Sequence, residues 1–269
     1  MPRPPPNKYL LYEAAVQSPD QTVDLFNQVY FDLFKRPART LREDFCGTFL
    51  VCCEWVQSHP RNLAVGVDLC AEPLEYGRRV HLTKLRPGER KRVRLLQQNV
   101  LSITSPKADL QVAGNFSFYV FKQRRELLRY CTSARKSLAS NGALVLEMVG
   151  GPGLTGTHTE SKTCEAIGAG RFKYTWERQA FDPVTQGARF AIHFKRSDGQ
   201  SLRNAFTYDW RVWTVPEVRE ALLDAGFDRT CVYWYETSAD EVVGYRYRQL
   251  EKADNDHAWL AYVVGVKGR

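Results

Sequence analysis

Two short stretches decide the fold class: residues 40–48 read TLREDFCGT, and residues 63–69 read LAVGVDL. Each contains a strand-like run, and residues 49–57 between them have helical character. A strand, a helix and a second strand predict two parallel strands joined by a crossover helix. The stretch around Gly47 then follows the carboxyl end of the first strand, at the edge where open α/β sheets bind ligands.

The same alternation continues on both sides of this unit. Two helices are predicted in residues 8–34, divided by Ser18-Pro19-Asp20, and residues 1–6 are expected to be a loose proline-rich lead. The first strand is predicted at residues 40–46, and further strands at 63–69, 93–100, 109–113 and 143–149, with helices at 49–57, 72–83 and 123–138. The pattern predicts an α/β fold with a doubly wound, mostly parallel sheet and helices on both faces.

After residue 150 the pattern changes. Residues 150–170 are rich in Gly, Thr and Ser and lack an apolar period, which predicts a lid or a long loop. Three alternating runs then predict an antiparallel addition after strand five, at residues 171–180, 189–196 and 200–210. A helix begins at Thr214 and ends near Gly226. Strands at residues 229–235 and 258–266 complete the core, and the polar residues 236–257 are expected to form an exposed loop.

These elements divide the chain into four segments. Residues 1–39 form an N-terminal helical segment, and residues 40–150 form a Rossmann-like ligand-binding core. The loop and the antiparallel addition occupy residues 151–213, and residues 214–269 return to the core. This organisation predicts one α/β unit with an elaboration.

Charge and cysteine content restrict the partners. The net charge of +8 would suit an acidic partner or a nucleic acid, but the basic residues are spread along the chain. Only residues 86–94, RPGERKRVR, form a dense basic run, which we interpret as a solvated loop in preference to a phosphate-binding patch. The seven cysteines show no paired or zinc-binding spacing. With no long apolar run either, we expect a cytoplasmic protein with reduced thiols, no membrane contact and no metal site; Asp254, Asp256 and His257 are assigned to a solvated loop.

The loop after the first strand favours a nucleoside ligand. Gly47 allows the backbone to approach a ligand closely, but the glycine fingerprint GxGxxG of dinucleotide-binding proteins is absent, which disfavours an NAD-dependent oxidoreductase. Asp68 follows 21 residues later at the end of the second strand, where a carboxylate can accept hydrogen bonds from both ribose hydroxyls. A nucleoside without a pyrophosphate fits both observations.

On these residues the sequence resembles the class I S-adenosylmethionine-dependent methyltransferases. Glu43 falls on the acidic position of their first motif and Cys46-Gly47-Thr48 on its turn, while Phe45 and Phe49 replace the outer glycines. Asp68 matches the ribose-binding acid, and Leu69 the apolar residue beside the adenine. Further matches are Asn99-Val100 at the adenine edge, residues 109–118 and 138–142 as later motifs, and the helix with its following Ala225-Gly226-Phe227.

The resemblance implies a seven-stranded sheet and S-adenosylmethionine as the cofactor. Its last strand, residues 259–266, would run antiparallel between strands five and six. The residues that the resemblance and their positions assign to the cofactor are Arg42, Glu43, Cys46, Gly47, Asp68, Leu69, Asn99, Val100, Asn115 and Ser117.

The acceptor side is expected in the antiparallel addition, which is rich in aromatic residues. His193 and Tyr208 are the candidate catalytic residues, should the acceptor need a base. The candidate substrate contacts are Phe118, Trp176, Trp210 and Arg211. Packing within the sheet is an alternative explanation for each aromatic side chain.

The predicted function is in-line methyl transfer from S-adenosylmethionine to a nitrogen or oxygen atom of a small molecule, because a covered pocket suits such an acceptor. Two alternatives stay open. The positive charge would suit methylation of RNA or protein, with steep salt dependence. The altered first motif would suit a catalytically silent scaffold. Oligomeric state is left open.

Overall fold

The computed structural model describes residues 7–236 and 246–268. The proline-rich lead, residues 1–6, and residues 237–245 of the predicted loop lie outside the described residues. The helices are α1 (Lys8–Val16), α2 (Pro19–Phe34), α3 (Leu50–Ser58), α4 (Ala71–Val80), α5 (Pro87–Arg90), α6 (Arg124–Ser137) and α7 (Val215–Asp224). The strands are β1 (Thr40–Asp44), β2 (Leu63–Asp68), β3 (Val93–Gln97), β4 (Ala108–Ala113), β5 (Leu138–Gly150), β6 (His158–Ala166), β7 (Gly170–Asp182), β8 (Gly187–Arg196), β9 (Ser201–Arg211), β10 (Arg229–Glu236), β11 (Arg246–Gln249) and β12 (Trp259–Lys267).

The larger sheet has the strand order β11-β10-β12-β5-β4-β1-β2-β3. Strands β1 to β5 pair in parallel, and β12 lies antiparallel between β5 and β10, as the resemblance implies. The prediction of seven strands is wrong by one, because β11 pairs with β10 inside the segment expected to be an exposed loop. A short edge strand with charged side chains has the composition of a loop, so its sequence does not reveal it.

The smaller sheet contains β6, β7, β8 and β9 in sequential antiparallel order. The predicted addition is confirmed, but it has four strands where three were expected. Strand β6 lies within residues 150–170, which were expected to be a loop. Its side chains are almost all exposed, so this edge strand carries no apolar alternation that could have indicated it.

Helices cover both faces of the larger sheet, as predicted. Buried apolar residues of α6 and α7 pack on one face, and those of α2 and α3 pack on the other. Helix α1 packs with the smaller sheet in a third apolar cluster. Within residues 7–236 and 246–268, no helix is long and apolar enough to cross a membrane.

Candidate active site

The turn after β1 holds the left-handed conformation at three alternate positions. Phe45, Gly47 and Phe49 have φ angles of 55°, 53° and 49°. Only glycine adopts this region freely; other residues lose about 1–2 kcal/mol there. Phe49 is fully buried, and its ring packs where a side chain on Gly77 of α4 would stand. Burial of the aromatic rings therefore offsets the strain, and the turn keeps its form without the outer glycines.

Gly47 and Asp68 are joined directly. The Gly47 N–H donates to Asp68 Oδ2 at 2.8 Å, and the Cys70 N–H donates to Asp68 Oδ1 at 2.8 Å. A Cβ atom built on Gly47 would meet no atom within 4 Å, so the backbone there faces open space. The carboxylate at the end of β2 and the Gly47 backbone of the turn after β1 thus form one ligand-accessible corner.

The neighbouring strand ends contribute an apolar side chain and an Asx turn. Leu69 is 70% exposed, which is unusual for a large apolar residue and suits contact with a flat ligand. At the end of β3, Asn99 is exposed and its side-chain oxygen accepts the Leu101 N–H at 2.9 Å. Val100 is largely buried beside it.

An acidic pocket of about 430 Å³ opens at the carboxyl ends of β1, β4 and β5 and at the amino end of the antiparallel strand β12. Two carboxylates line it, those of Glu43 and Glu147. Glu147 accepts the Asn115 N–H at 2.5 Å and the Tyr262 hydroxyl at 3.0 Å, and burial raises its pKa. These bonds hold Asn115, another residue with positive φ, at the end of β4.

Glu43 is the more strongly perturbed of the two acids. Burial raises its pKa from 4.5 to about 7, while hydrogen bonds from Cys52 oppose the shift. Its Oε2 accepts the Cys52 N–H at 3.2 Å and the Cys52 thiol at 3.0 Å. No salt bridge to Glu43 or Glu147 occurs among the described residues. A buried carboxylate without a cation is costly, so the pocket favours a cationic ligand group.

A second cavity, which we call the aromatic chamber, has a volume of about 360 Å³ and lies between the smaller sheet, α1 and the residues after β4. Its rings come from several elements and belong to Tyr12, Phe116, Tyr174, Trp176, Tyr208 and Trp210. Val16, Asn115 and Lys162 line both the chamber and the acidic pocket, so the two cavities adjoin at the end of β4.

The structure thus brings Tyr208, Trp176 and Trp210 together in one chamber. Asn115 stands at its junction with the acidic pocket, and Glu43 lies inside that pocket. Gly47, Asp68, Leu69 and Asn99 lie together at the neighbouring strand ends. Ser117 is one turn away, where its hydroxyl donates to the Gly114 carbonyl at 2.8 Å.

Arg42 takes no part in this site. Its guanidinium is fully buried, where it pairs with Asp44 at 2.7 Å and donates to the carbonyls of Val100 and Ser102 and to the hydroxyls of Thr104 and Ser137. With its donors engaged, Arg42 anchors the segment after β3, and its assignment to the cofactor is corrected to a structural role. The Cys46 thiol is likewise buried, against Gly66 of β2, so only the Cys46 backbone remains near a ligand.

Three acceptor-side assignments are also corrected. His193 lies on the outer face of the smaller sheet, opposite the chamber, where its Nε2 pairs with Glu177 at 2.9 Å. Arg211 stacks on Trp213 and donates to Glu217 at 2.7 Å, outside the chamber. Phe118 is fully buried in the core. The alternation Phe190-Ala191-Ile192-His193-Phe194 places His193 opposite the apolar face, so the sequence itself contains the signal for this correction.

Other chamber and pocket residues went unrecognised in the sequence. Tyr174 is two positions from Trp176 and therefore shares its face of β7, which alternation could have indicated. Glu147 is a lone acid in the apolar run LVLEMV, which also signals a special role. Tyr12, Phe116 and Lys162 have no such signal, because only the tertiary fold brings them to the site.

Several solved structures share this fold. No family model and no curated protein matches the sequence. The sugar N-methyltransferase KedS8 from Streptoalloteichus sp. ATCC 53650 superposes with a TM-score of 0.67 at 18% identity, over 100% of this chain and 96% of that one. DesVI from Streptomyces venezuelae gives 0.70 at 14% identity, over 97% and 96% of the two chains. The S-adenosylmethionine-bound amino pentose methyltransferase CalS10 from Micromonospora echinaspora gives 0.66 at 14%, over 98% and 99%.

The fold is that of the class I S-adenosylmethionine-dependent methyltransferases. Matches that span both chains almost completely include the antiparallel addition as well as the parallel core. The site residues of this methyltransferase fold also fit the cofactor's chemistry. Gly47 leaves room for close backbone approach, Asp68 offers carboxylate oxygens to hydroxyls, and the acidic pocket suits an ammonium group.

Proposed function

We propose that this protein is an S-adenosylmethionine-dependent methyltransferase that acts on a nitrogen or oxygen atom of a small molecule in the cytoplasm. The observation that carries the proposal is the placement of three features at one edge of the larger sheet: the Gly47–Asp68 corner, the acidic pocket, and the aromatic chamber that adjoins this pocket. A nucleoside end and an amino-acid end require different surroundings, and the first two features offer both.

Each of these three features has a distinct task in this proposal. Asp68 binds the ribose hydroxyls, and Leu69 covers one side of the adenine. Glu43 and Glu147 hold the ammonium of the methionine end in the acidic pocket. When bound, S-adenosylmethionine supplies a methyl group on a sulfonium, which is a good leaving group. Residues 151–213 then form the acceptor side and exclude water from the chamber.

Solved neighbours support a small-molecule acceptor. KedS8 is described as a sugar N-methyltransferase and CalS10 as an amino pentose methyltransferase. Both cover the antiparallel addition that builds the chamber here. A chamber of about 360 Å³ suits one ring of a small molecule, whereas a folded protein or an RNA helix would need an open surface.

Calorimetric titration with S-adenosylhomocysteine tests the cofactor site. We expect micromolar binding to the wild type and a loss of at least tenfold, about 1.4 kcal/mol, in Asp68→Ala, because the hydroxyl-binding carboxylate is removed. Asp109→Ala is the matched control. Asp109 also accepts two backbone N–H groups, those of Arg39 and Thr40, but at the amino end of β1, away from the site.

The outcomes separate the competing functions. Loss of binding in Asp68→Ala alone supports the nucleoside site. Equal loss in both variants would mean that the carboxylates act through stability only. A well-folded wild type that binds neither S-adenosylmethionine nor S-adenosylhomocysteine would contradict the methyltransferase proposal and favour a silent scaffold.

A further inference from the structure

The aromatic chamber presents ring faces in an arrangement suited to a cation. Tyr208 and Trp210 lie with ring centroids 4.3 Å apart, and Trp176 lies 5.7 Å from Tyr208 and 6.2 Å from Trp210. One cation already uses this surface, since Lys162 Nζ stands 5.6 Å from the centroid of Tyr174. Aromatic faces carry partial negative charge and attract ammonium groups, most strongly where water is excluded.

The charged groups of the two adjoining cavities also favour a cationic ligand. Three carboxylates, those of Glu43, Glu147 and Glu160, line the chamber or the acidic pocket, against the single ammonium of Lys162 among the described residues. Arg178 of the neighbouring strand β7 donates a hydrogen bond to Glu160 at 3.0 Å. The cavities therefore lack positive charge that would repel an ammonium ion, apart from Lys162 at their junction.

Over the described part of the chain, the acid–base side chains on the chamber wall are those of Glu160, Lys162 and three tyrosines, and the Lys162 ammonium already lies over the Tyr174 ring. Glu160 is engaged by Arg178, and His193 faces away on the opposite side of the sheet. Burial raises the pKa of the Tyr174 and Tyr208 hydroxyls, so these phenols stay protonated. An alcohol acceptor must lose a proton as it is methylated, whereas a neutral amine needs no base in that step.

From these three observations we propose that the methyl acceptor is an amine nitrogen and that the ring faces of Tyr174, Trp176, Tyr208 and Trp210 stabilise the charge that forms on it. This inference rests on the proposed methyltransferase function. The nitrogen lone pair forms the N–C bond to the methyl carbon while the C–S bond breaks and its electron pair stays on sulfur. Positive charge moves from sulfur to nitrogen, and a product ammonium that carries hydrogen releases a proton to water.

Competition between a cation and its neutral isostere tests the chamber. The full chain is first saturated with S-adenosylhomocysteine and then titrated with choline or with 3,3-dimethylbutan-1-ol, which has the same shape without the charge. We expect choline to bind at least tenfold more tightly. In Trp176→Leu the preference should fall to less than about threefold, since a cation–π contact is lost.

The control is Trp234→Leu. Trp234 is half-buried on β10 and packs against Trp259, away from the chamber, so the same substitution there should keep the tenfold preference. Unchanged affinity for S-adenosylhomocysteine shows that each variant is folded.

Equal or tighter binding of the alcohol, or no binding of either compound to the cofactor-product complex, would overturn the amine proposal and leave the methyltransferase proposal standing. Failure of S-adenosylhomocysteine to bind the wild type would instead contradict the proposed function itself. The two failures are thus distinguished by the first titration.

Discussion

Glu43 is the residue whose protonation should control cofactor binding. Its folded-state pKa of about 7 lies above its ordinary value of 4.5 because of burial. Such a group stabilises the fold fully below the ordinary pKa, and this stability is lost as the pH rises through the folded pKa. Glu43→Gln keeps an acceptor for the Cys52 N–H, so at pH 8 it should be more stable than wild type by up to about 3 kcal/mol.

The affinity for S-adenosylhomocysteine should show the opposite dependence on pH. Only the ionised carboxylate attracts an ammonium, so the wild-type affinity for S-adenosylhomocysteine should increase as the pH rises from 6 to 8, while that of Glu43→Gln stays nearly flat. Denaturant unfolding and calorimetry across this range measure both effects. Glu75→Gln, on the exposed face of α4, is the control and should follow the wild type. Parallel pH profiles for wild type and Glu43→Gln would exclude this role.

Individual strand-end residues could be predicted from the sequence, but the directions of their side chains could not. Asp68 and Gly47 were found because their spacing follows from the strand and helix lengths. Arg42 lies next to Glu43 in sequence, but the side chains of adjacent residues in a strand point to opposite faces of the sheet. The Arg42 side chain is buried on the face that α6 covers. Glu147 and Phe116 reach the site from β5 and from the segment after β4, a proximity that only the tertiary structure establishes.

Among the elements, α1 connects the cofactor turn to the acceptor chamber. Its Glu13 accepts the Thr48 hydroxyl at 2.5 Å and pairs with His81 Nε2 at 2.7 Å, and all three side chains are buried. The preceding residue, Tyr12, forms part of the chamber wall. A helix of nine residues is not stable alone, so its position depends on such contacts.

Removal of the Glu13 carboxylate should therefore loosen α1. Glu13→Ala leaves two buried polar partners unsatisfied, which costs about 1–3 kcal/mol. We expect faster hydrogen exchange in residues 8–16 and weaker choline binding. Lys8→Ala removes the ion pair with Glu72 and the cation–π contacts with Tyr9 and Phe206, but leaves no buried polar group unsatisfied, and should change stability by about 1 kcal/mol. Wild-type exchange rates in Glu13→Ala would show that α1 is held by its apolar contacts alone.

The strands that bury apolar side chains could be predicted from the sequence, whereas the exposed edge strands could not. Strands of the parallel core and the β7 to β9 runs carry apolar patterns because each buries at least one face. Strands β6 and β11 lie at sheet edges with polar side chains, and their pairing is determined by neighbours distant in sequence. The capping pair at Thr214 and Glu217 was visible because it is local, and the structure contains it.

For the whole molecule, the distribution of charge bears on the choice between a small acceptor and RNA. The basic run at residues 86–94 surrounds α5 and the start of β3, at the amino ends of the strands. Arg92 there donates to the carbonyls of His59 and Asn62 at 3.0 and 2.6 Å, and Arg86 pairs with Glu89. The candidate site lies at the carboxyl ends, on the opposite edge of the sheet.

A substrate bound at the site should accordingly be insensitive to the basic run. We expect the choline affinity of the Arg90→Glu/Lys91→Glu double variant to equal that of wild type, because both side chains are exposed on the far edge. The logarithm of that affinity should fall with the logarithm of salt concentration with a slope no steeper than about −1, since no row of phosphates is neutralised. RNA bound across several phosphates would give a slope several times steeper. A single-stranded oligonucleotide is the competing ligand. If it binds more tightly than choline, with the steeper salt slope, and loses affinity in the double variant, the small-acceptor proposal fails. The net charge of +8 would then serve nucleic-acid binding.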